Sequence, residues 1–239
     1  MKRARIAELD VVLTGGTDRE GGGTGPLVVL LHGFGAPGDD LVPFHRVMRV
    51  PRETRFAFPA APLETYMMPG VDSRAWWHID MMRLQEAIER GDMRDLSTEE
   101  PEGLDEARAK MDAFLTQIRA DLKPSKLVLG GFSQGSMLSM DLALRTSHAI
   151  DALVILSGTL LAQDVWVPKM TALKGKPIFQ SHGTHDPLLP YALAERLKTE
   201  LVSAGADVKF VPFRGAHEIP PPVLESLVAF LDPVLSQPS

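Results

Sequence analysis

The sequence predicts an α/β fold, a mostly parallel central sheet with helices on both faces, and three observations carry that prediction. Short apolar strands alternate with amphipathic helical stretches along most of the chain, the pattern that packs helices over a parallel sheet. The run Leu27-Val28-Val29-Leu30-Leu31 is apolar without alternation, as a strand covered on both faces requires. Finally, Gly131-Phe132-Ser133-Gln134-Gly135 stands between a strand and a helix, the context in which G-x-S-x-G has chemical meaning.

Taken in order, residues 6–13 and 27–31 are the first two strands. The glycine-rich stretch Gly15 to Pro26 (GGTDREGGGTGP) joins them. No Lys-Ser or Lys-Thr pair follows those glycines, so they read as a turn and not as a phosphate loop. Asp40 to Met48 reads as a short helix and Arg55 to Phe58 as a strand stopped by Pro59. From Leu104 to Leu122 the stripe Leu104, Ala107, Met111, Phe114, Leu115, Ile118 and Leu122 marks a helix facing a core. Lys126–Gly130 is a strand and Ser136–Leu144 a helix. Further strands are expected at Ala152–Leu156, Pro177–Gln180 and Val208–Val211, with helices near Pro190–Ser203 and Val223–Leu231. In such a sheet the site belongs at the C-terminal ends of the strands.

A chain of 239 residues suits one α/β domain spanning 1–239. One segment, about 64–102, breaks the alternation. It holds Tyr66, Met67, Met68, Trp76, Trp77, Met81 and Met82 and then turns acidic. An insertion of that length is expected to be a lid, although a satellite core cluster fits the tryptophans equally well.

Apolar residues at 44% and charged residues at 23% exclude a disordered chain. The net charge of -6 argues against nucleic acid as a partner, which needs a clustered basic field. Cysteine is absent, which excludes disulfides, thiolate metal sites and a cysteine nucleophile. Glu8 and Asp10 interrupt the basic N-terminus before any signal-like apolar run forms. No apolar stretch reaches the roughly 20 residues of a membrane span. The expectation is a cytoplasmic protein without a transmembrane segment.

Glycine at both ends of the pentapeptide permits a strained turn that lifts Ser133 out of the sheet, with a helix N-terminus behind it. A serine hydroxyl needs a base, and the base an orienting acid. In the order Ser–Asp–His these are Asp186, after the strand at 177–180, and His217, after the strand at 208–211. His32-Gly33-Phe34-Gly35 follows the strand at 27–31. The Phe34 N–H is therefore expected to join the Gln134 N–H in an oxyanion hole. His182 and His185 share a short loop that cannot set metal-ligand geometry, so no metal is expected and His182 is read as packing under the acid loop. Trp77 and Met68 are candidate substrate contacts in the insertion, whose tryptophans and methionines suit an acyl groove.

With these residues in place, the chain resembles the phospholipase/carboxylesterase family of α/β-hydrolases, which includes the acyl-protein thioesterases. The matching stretches are LLHGFGAPGDDLVPF, FAFPAAP, AWWHID, LVLGGFSQGSMLSMDLAL, LVILSGTLL, PIFQSHGTHDPLLPYALAERL and VKFVPFRGAHEIPPPVLESLVAFL. The resemblance implies Ser133 as nucleophile, Asp186 as acid, His217 as base, Phe34 and Gln134 as oxyanion donors, and Trp76 near the acyl pocket. Two departures fall in the substrate-facing region. His78 stands where the family commonly has aspartate after its Trp-aromatic pair, and the stretch from Met81 to Glu102 is longer than usual.

The reading is a serine carboxylesterase of short- to medium-chain esters that works through an acyl enzyme and needs no cofactor. Its partner is a small-molecule ester or lipid-like substrate. The oligomeric state stays open, a homodimer included. A lysophospholipase or acyl-protein thioesterase on the same triad is the near alternative, and a non-catalytic module that kept the fold is the remote one.

Overall fold

The computed structural model describes residues 1–66, 70, 72–80, 82, 86, 89–90, 95 and 97–236. Among them the long strands form one eight-stranded sheet. In chain order its strands are β1 (Lys2–Ile6), β2 (Leu9–Gly15), β3 (Leu27–Leu31), β4 (Arg55–Pro59), β7 (Leu127–Phe132), β8 (Ala152–Leu156), β9 (Pro177–Gly183) and β10 (Asp207–Phe213). Their spatial order is β1-β2-β4-β3-β7-β8-β9-β10. The β1–β2 and β2–β4 pairs are antiparallel and the other pairs parallel. The small strands β5 (Leu63–Glu64) and β6 (Arg74–Ala75) pair separately as an antiparallel ribbon.

Two apolar layers sandwich the sheet. Leu27, Val29 and Leu31 point into one, and Val28 and Leu30 into the other. The unbroken apolar run of β3 thus feeds both faces, as its sequence requires. Helix α2 (Leu104–Leu122), α3 (Gln134–Arg145), the short α4 (Gln163–Trp166) with its 3-10 continuation Val167–Leu173, and α5 (Tyr191–Ser203) cover the first face. The α2 stripe Leu104, Ala107, Met111, Phe114, Leu115 and Ile118 is buried there, as its spacing predicts. Helix α6 (Pro221–Ser236) and residues around the one-turn α1 (Phe44–Val47) cover the second. Among the described residues no helix is long and apolar enough to cross a membrane.

The structure corrects several boundaries. The strand expected at 6–13 is a hairpin, because Ala7 and Glu8 turn the chain with φ of 46° and 68°. The Ala7 N–H is held by the Gln117 side chain on α2 at 2.9 Å. The helix expected over 40–48 shrinks to Phe44–Val47. Helix α3 starts at Gln134, directly behind the serine, and β9 runs on to Gly183. Within the expected insertion, Trp76 and Trp77 are buried while Tyr66 and Met82 are exposed. Met67, Met68 and Met81 lie outside the described residues.

Candidate active site

The Ser133 position is built from steric necessity. Ser133 takes φ 53°, ψ −119°, a conformation that costs on the order of 1–3 kcal/mol and persists only when its surroundings enforce it. Its N–H donates to Leu156 O on β8 at 2.8 Å, and its carbonyl accepts the N–H groups of Ser136 and Met137. The Ser136 hydroxyl donates to the same carbonyl at 2.7 Å. Ser133 stands at the N-cap of α3, yet its hydroxyl makes no capping bond. A capping serine would normally spend its oxygen on the helix; here Ser133 Oγ is left for the cavity. A Cβ on Gly131 would stand 2.5 Å from Leu31 O, which is why glycine is needed beside the serine.

Asp186 and His217, the residues expected as acid and base, come from the neighbouring strand ends, after β9 and β10. His217 Nδ1 and Asp186 Oδ2 are 2.7 Å apart. Asp186 Oδ1 accepts the N–H groups of Leu188 at 2.9 Å and Leu189 at 3.0 Å. Burial raises the Asp186 carboxyl, but the hydrogen bond and electrostatic attraction of the His217 ring and the two N–H groups outweigh it, so the group is held below the usual carboxylate range. Gly183 and Ala216 bring the two strand ends together: a Cβ on Gly183 would lie 2.1 Å from Ala216 O. The His217 ring also leans on Phe132, with centroids 4.8 Å apart.

His182 is fully buried on β9, where Nε2 donates to Leu189 O at 2.9 Å and lies 3.4 Å from Asp186 Oδ2. Burial pushes its imidazole below the ordinary histidine range. It therefore pins the acid loop from beneath. His185 is on the exposed side of that loop, against the Thr184 hydroxyl.

Phe34 and Gln134 flank the serine. Gln134 opens α3, so its N–H is one of those without an intrahelical acceptor. Among the described residues, no backbone hydrogen bond of the turns and loops uses the Phe34 N–H. Gly33 lets this turn lie against Ser133, since a Cβ there would meet Ser133 Cβ at 3.3 Å.

Ser133, Gln134, Phe34, His217 and Trp77 all line one cavity of about 520 Å³. Phe132, Met137, Leu161, Leu188 and Leu189 add apolar wall, and His78, Asp80, Glu99, Glu100 and Glu102 add polar wall. The 97–102 wall is docked on the core: Ala162 N–H donates to Glu99 O, Gln163 N–H to Ser97 O, and Arg145 pairs with Glu100. Trp76 is not on the cavity wall. It is buried behind it, with its indole N–H donating to His32 O at 3.0 Å. The sequence-predicted site thus splits. The cavity gathers Ser133, His217, Phe34, Gln134 and Trp77; Asp186 stands behind His217, Trp76 behind the wall, and Met68 outside the described residues. Leu161, Leu188 and Leu189 were missed as wall residues. The signal for them was position alone, since all three follow ends of β8 or β9, where a site of this fold collects.

The profile of the phospholipase/carboxylesterase family matches residues 20–235. The chain belongs to that family. This phospholipase/carboxylesterase-family protein is 28% identical over 222 residues to acyl-protein thioesterase 1 of Emericella nidulans, covering 87% of this chain and 90% of that protein. It is 26% identical over 221 residues to acyl-protein thioesterase 1 of Saccharomyces cerevisiae, with 87% and 92% covered. Among solved structures, esterase PE8 superposes with a TM-score of 0.77 at 25% identity, covering 98% of this chain and all 100% of that one. The Bacillus cereus carboxylesterase, at 19% identity and TM-score 0.69, covers 95% and 94% and shows the shared fold. The family protein is accordingly an α/β-hydrolase.

Proposed function

We propose that this protein is a serine hydrolase that cleaves acyl thioesters and carboxylic esters through an acyl enzyme. The observation that carries the reading is the convergence of Ser133 and the Asp186-backed His217 on one largely apolar cavity. With Nδ1–H committed to Asp186, His217 Nε2 carries the lone pair and serves as the base. Ser133 Oγ attacks the acyl carbon as its proton passes to Nε2. The carbonyl oxygen becomes an oxyanion held by the Phe34 and Gln134 N–H groups. Collapse of the tetrahedral species expels the thiol or alcohol, which takes the proton from Nε2. Water then repeats the sequence on the acyl enzyme and releases the carboxylic acid.

The likeness to acyl-protein thioesterases supports a reading in which thioesters are favoured over simple carboxylic esters. The triad itself is indifferent to the leaving group. The test is labelling by a fluorophosphonate, followed by a panel of octanoyl thioester, p-nitrophenyl octanoate and lysophosphatidylcholine. Labelling lost in Ser133→Ala and a higher kcat/KM for the thioester are expected. An unlabelled, inactive wild type overturns the reading, and a preference for the oxygen ester moves it back to carboxylesterase.

A further inference from the structure

The two halves of the oxyanion hole come from different parts of the chain, the turn after β3 and the start of α3. Among the described residues, no backbone hydrogen bond of the turns and loops joins the two directly to set the gap between Phe34 N–H and Gln134 N–H. A third segment, the strap from Ser73 to Trp77, bonds to both. On the first half, Gly35 N–H donates to Arg74 O at 2.8 Å and Arg74 N–H to Ala36 O at 2.9 Å. The Ser73 hydroxyl donates to Gly35 O, and the Trp76 indole N–H to His32 O, each at 3.0 Å. On the second half, the fully buried Gln134 side chain grips the strap twice. Its Oε1 accepts Trp76 N–H and its Nε2 donates to Trp77 O, both at 2.8 Å. The strap then continues into the cavity wall at Trp77, His78 and Ile79.

We infer that the strap Ser73–Trp77 sets the spacing of the oxyanion hole, with Trp76 and the Gln134 side chain as positioning residues, because it bonds to the turn on one side of Ser133 and to Gln134 on the other. The inference rests on the acyl-transfer reading. It assigns the Gln134 side chain a task separate from that of its backbone N–H. It also moves Trp76 from substrate contact to support of the transition state. Misplaced donors weaken binding of the tetrahedral species while leaving the bound ester almost untouched.

The experiment compares wild type with Trp76→Phe, which removes one indole bond and keeps an aromatic ring, and Gln134→Met, which removes both grips and keeps the backbone N–H. Steady-state kinetics with acetyl and octanoyl thioesters are paired with inhibition by octylboronic acid, which forms a tetrahedral adduct on serine, and by octanoate, which does not. Expected are a roughly tenfold loss of kcat for Trp76→Phe and roughly a hundredfold loss for Gln134→Met. KM and octanoate inhibition hold within twofold, and boronate affinity falls in step with kcat. Folded variants with wild-type kcat and boronate affinity overturn the inference, as does a rise in KM alone, which would make the strap a substrate wall. Should both variants unfold, slowed hydrogen exchange of the Trp76 indole N–H in the wild-type boronate adduct, and not in the octanoate complex, supports the inference; equal exchange in the two overturns it. A wild type that fluorophosphonate fails to label removes the acyl-transfer reading itself, which is a different result.

Discussion

A Cβ added to Gly135 would stand 2.2 Å from the carbonyl oxygen of Leu31, so the helix that begins behind Ser133 presses directly on the end of β3. The same Cβ would meet His32 O at 2.5 Å. Both obstacles are backbone, which cannot swing aside as a side chain can. Gly135→Ala is therefore expected to lose about 1–3 kcal/mol of stability by overpacking, or roughly 2–12 °C in Tm for a chain of this size. Its catalytic loss should be larger, since relief of the clash moves Ser133. Thermal melting and kcat measured together check this; a wild-type kcat would show that the elbow adapts.

Asp186→Asn tests the acid without dismantling its loop. The Asn carbonyl oxygen can still accept the Leu188 and Leu189 N–H groups, but its NH2 facing His217 Nδ1 favours the wrong imidazole tautomer. A fall in kcat of about four orders of magnitude is expected, with Tm changed little. A loss under tenfold in kcat would show that Asp186 is not the orienting acid.

Much of this site was legible because its signals are local. Ser133 declares itself by the glycines that its strand-to-helix turn demands, and β3 by an apolar run that feeds two cores. The hairpin at Ala7–Glu8 was not legible, because neither residue is one that signals a left-handed turn; tertiary support from Gln117 overrides their preference. Trp76 and Trp77 could not be told apart in sequence. Neighbours on a strap point to opposite sides, and which side holds the cavity depends on Gln134, 58 residues away from Trp76.

Arg55 exemplifies support that no motif announces. It is fully buried and donates to the carbonyl oxygens of Gly23, Gly25 and Leu122. It thereby ties the glycine-rich loop to the C-terminus of α2. Removing it leaves three acceptors without these donors. Arg55→Met should cost on the order of 3 kcal/mol, roughly 6–12 °C in Tm, while kcat at 25 °C stays near wild type. An unchanged melting point would mean that water replaces the guanidinium at no cost.

Acid should weaken the fold before it titrates the carboxylates. Burial pushes His32 down to about 4 from an ordinary 6.5. Ala61 N–H donates to its Nε2 at 2.9 Å, which leaves Nδ1–H to donate to Gly33 O at 2.8 Å. The unfolded chain takes up this proton below about pH 6.5 and the folded chain only near pH 4. Between those values the unfolded state binds more protons, so stability falls with falling pH, by up to about 1.4 kcal/mol per pH unit for one such group. His182, lowered by burial as well, adds in the same direction. Asp186, held low, contributes stability above the unfolded carboxylate range and loses it at more acidic pH still. Urea midpoints at pH 7, 5.5 and 4.5 should decline steadily; a flat profile down to pH 4.5 would place a charged His32 in the native state.

The cavity wall makes a final prediction about acyl chains. Trp77, Phe132, Met137, Leu161, Leu188 and Leu189 give it an apolar surface within about 520 Å³. Each methylene buried there is worth up to about 0.8 kcal/mol, or roughly a fourfold gain in kcat/KM. The gain should therefore rise over the first few carbons and then level off once the space is filled. Met137 lies one helical turn beyond Ser133 and belongs to the cavity wall; its bond to Ser133 O runs through the backbone N–H, which alanine keeps. Met137→Ala should shift the plateau toward longer chains and reduce the gain per carbon at octanoyl, while acetyl substrates slow least. Trp76→Phe should behave oppositely, slowing acetyl and octanoyl substrates by the same factor, because the ring stands behind the oxyanion turn and not in the groove. Chain-length profiles of the two variants side by side distinguish a wall from a support. If Met137→Ala slows every chain length equally, the acyl group lies elsewhere in the cavity and the apolar wall serves the leaving group instead.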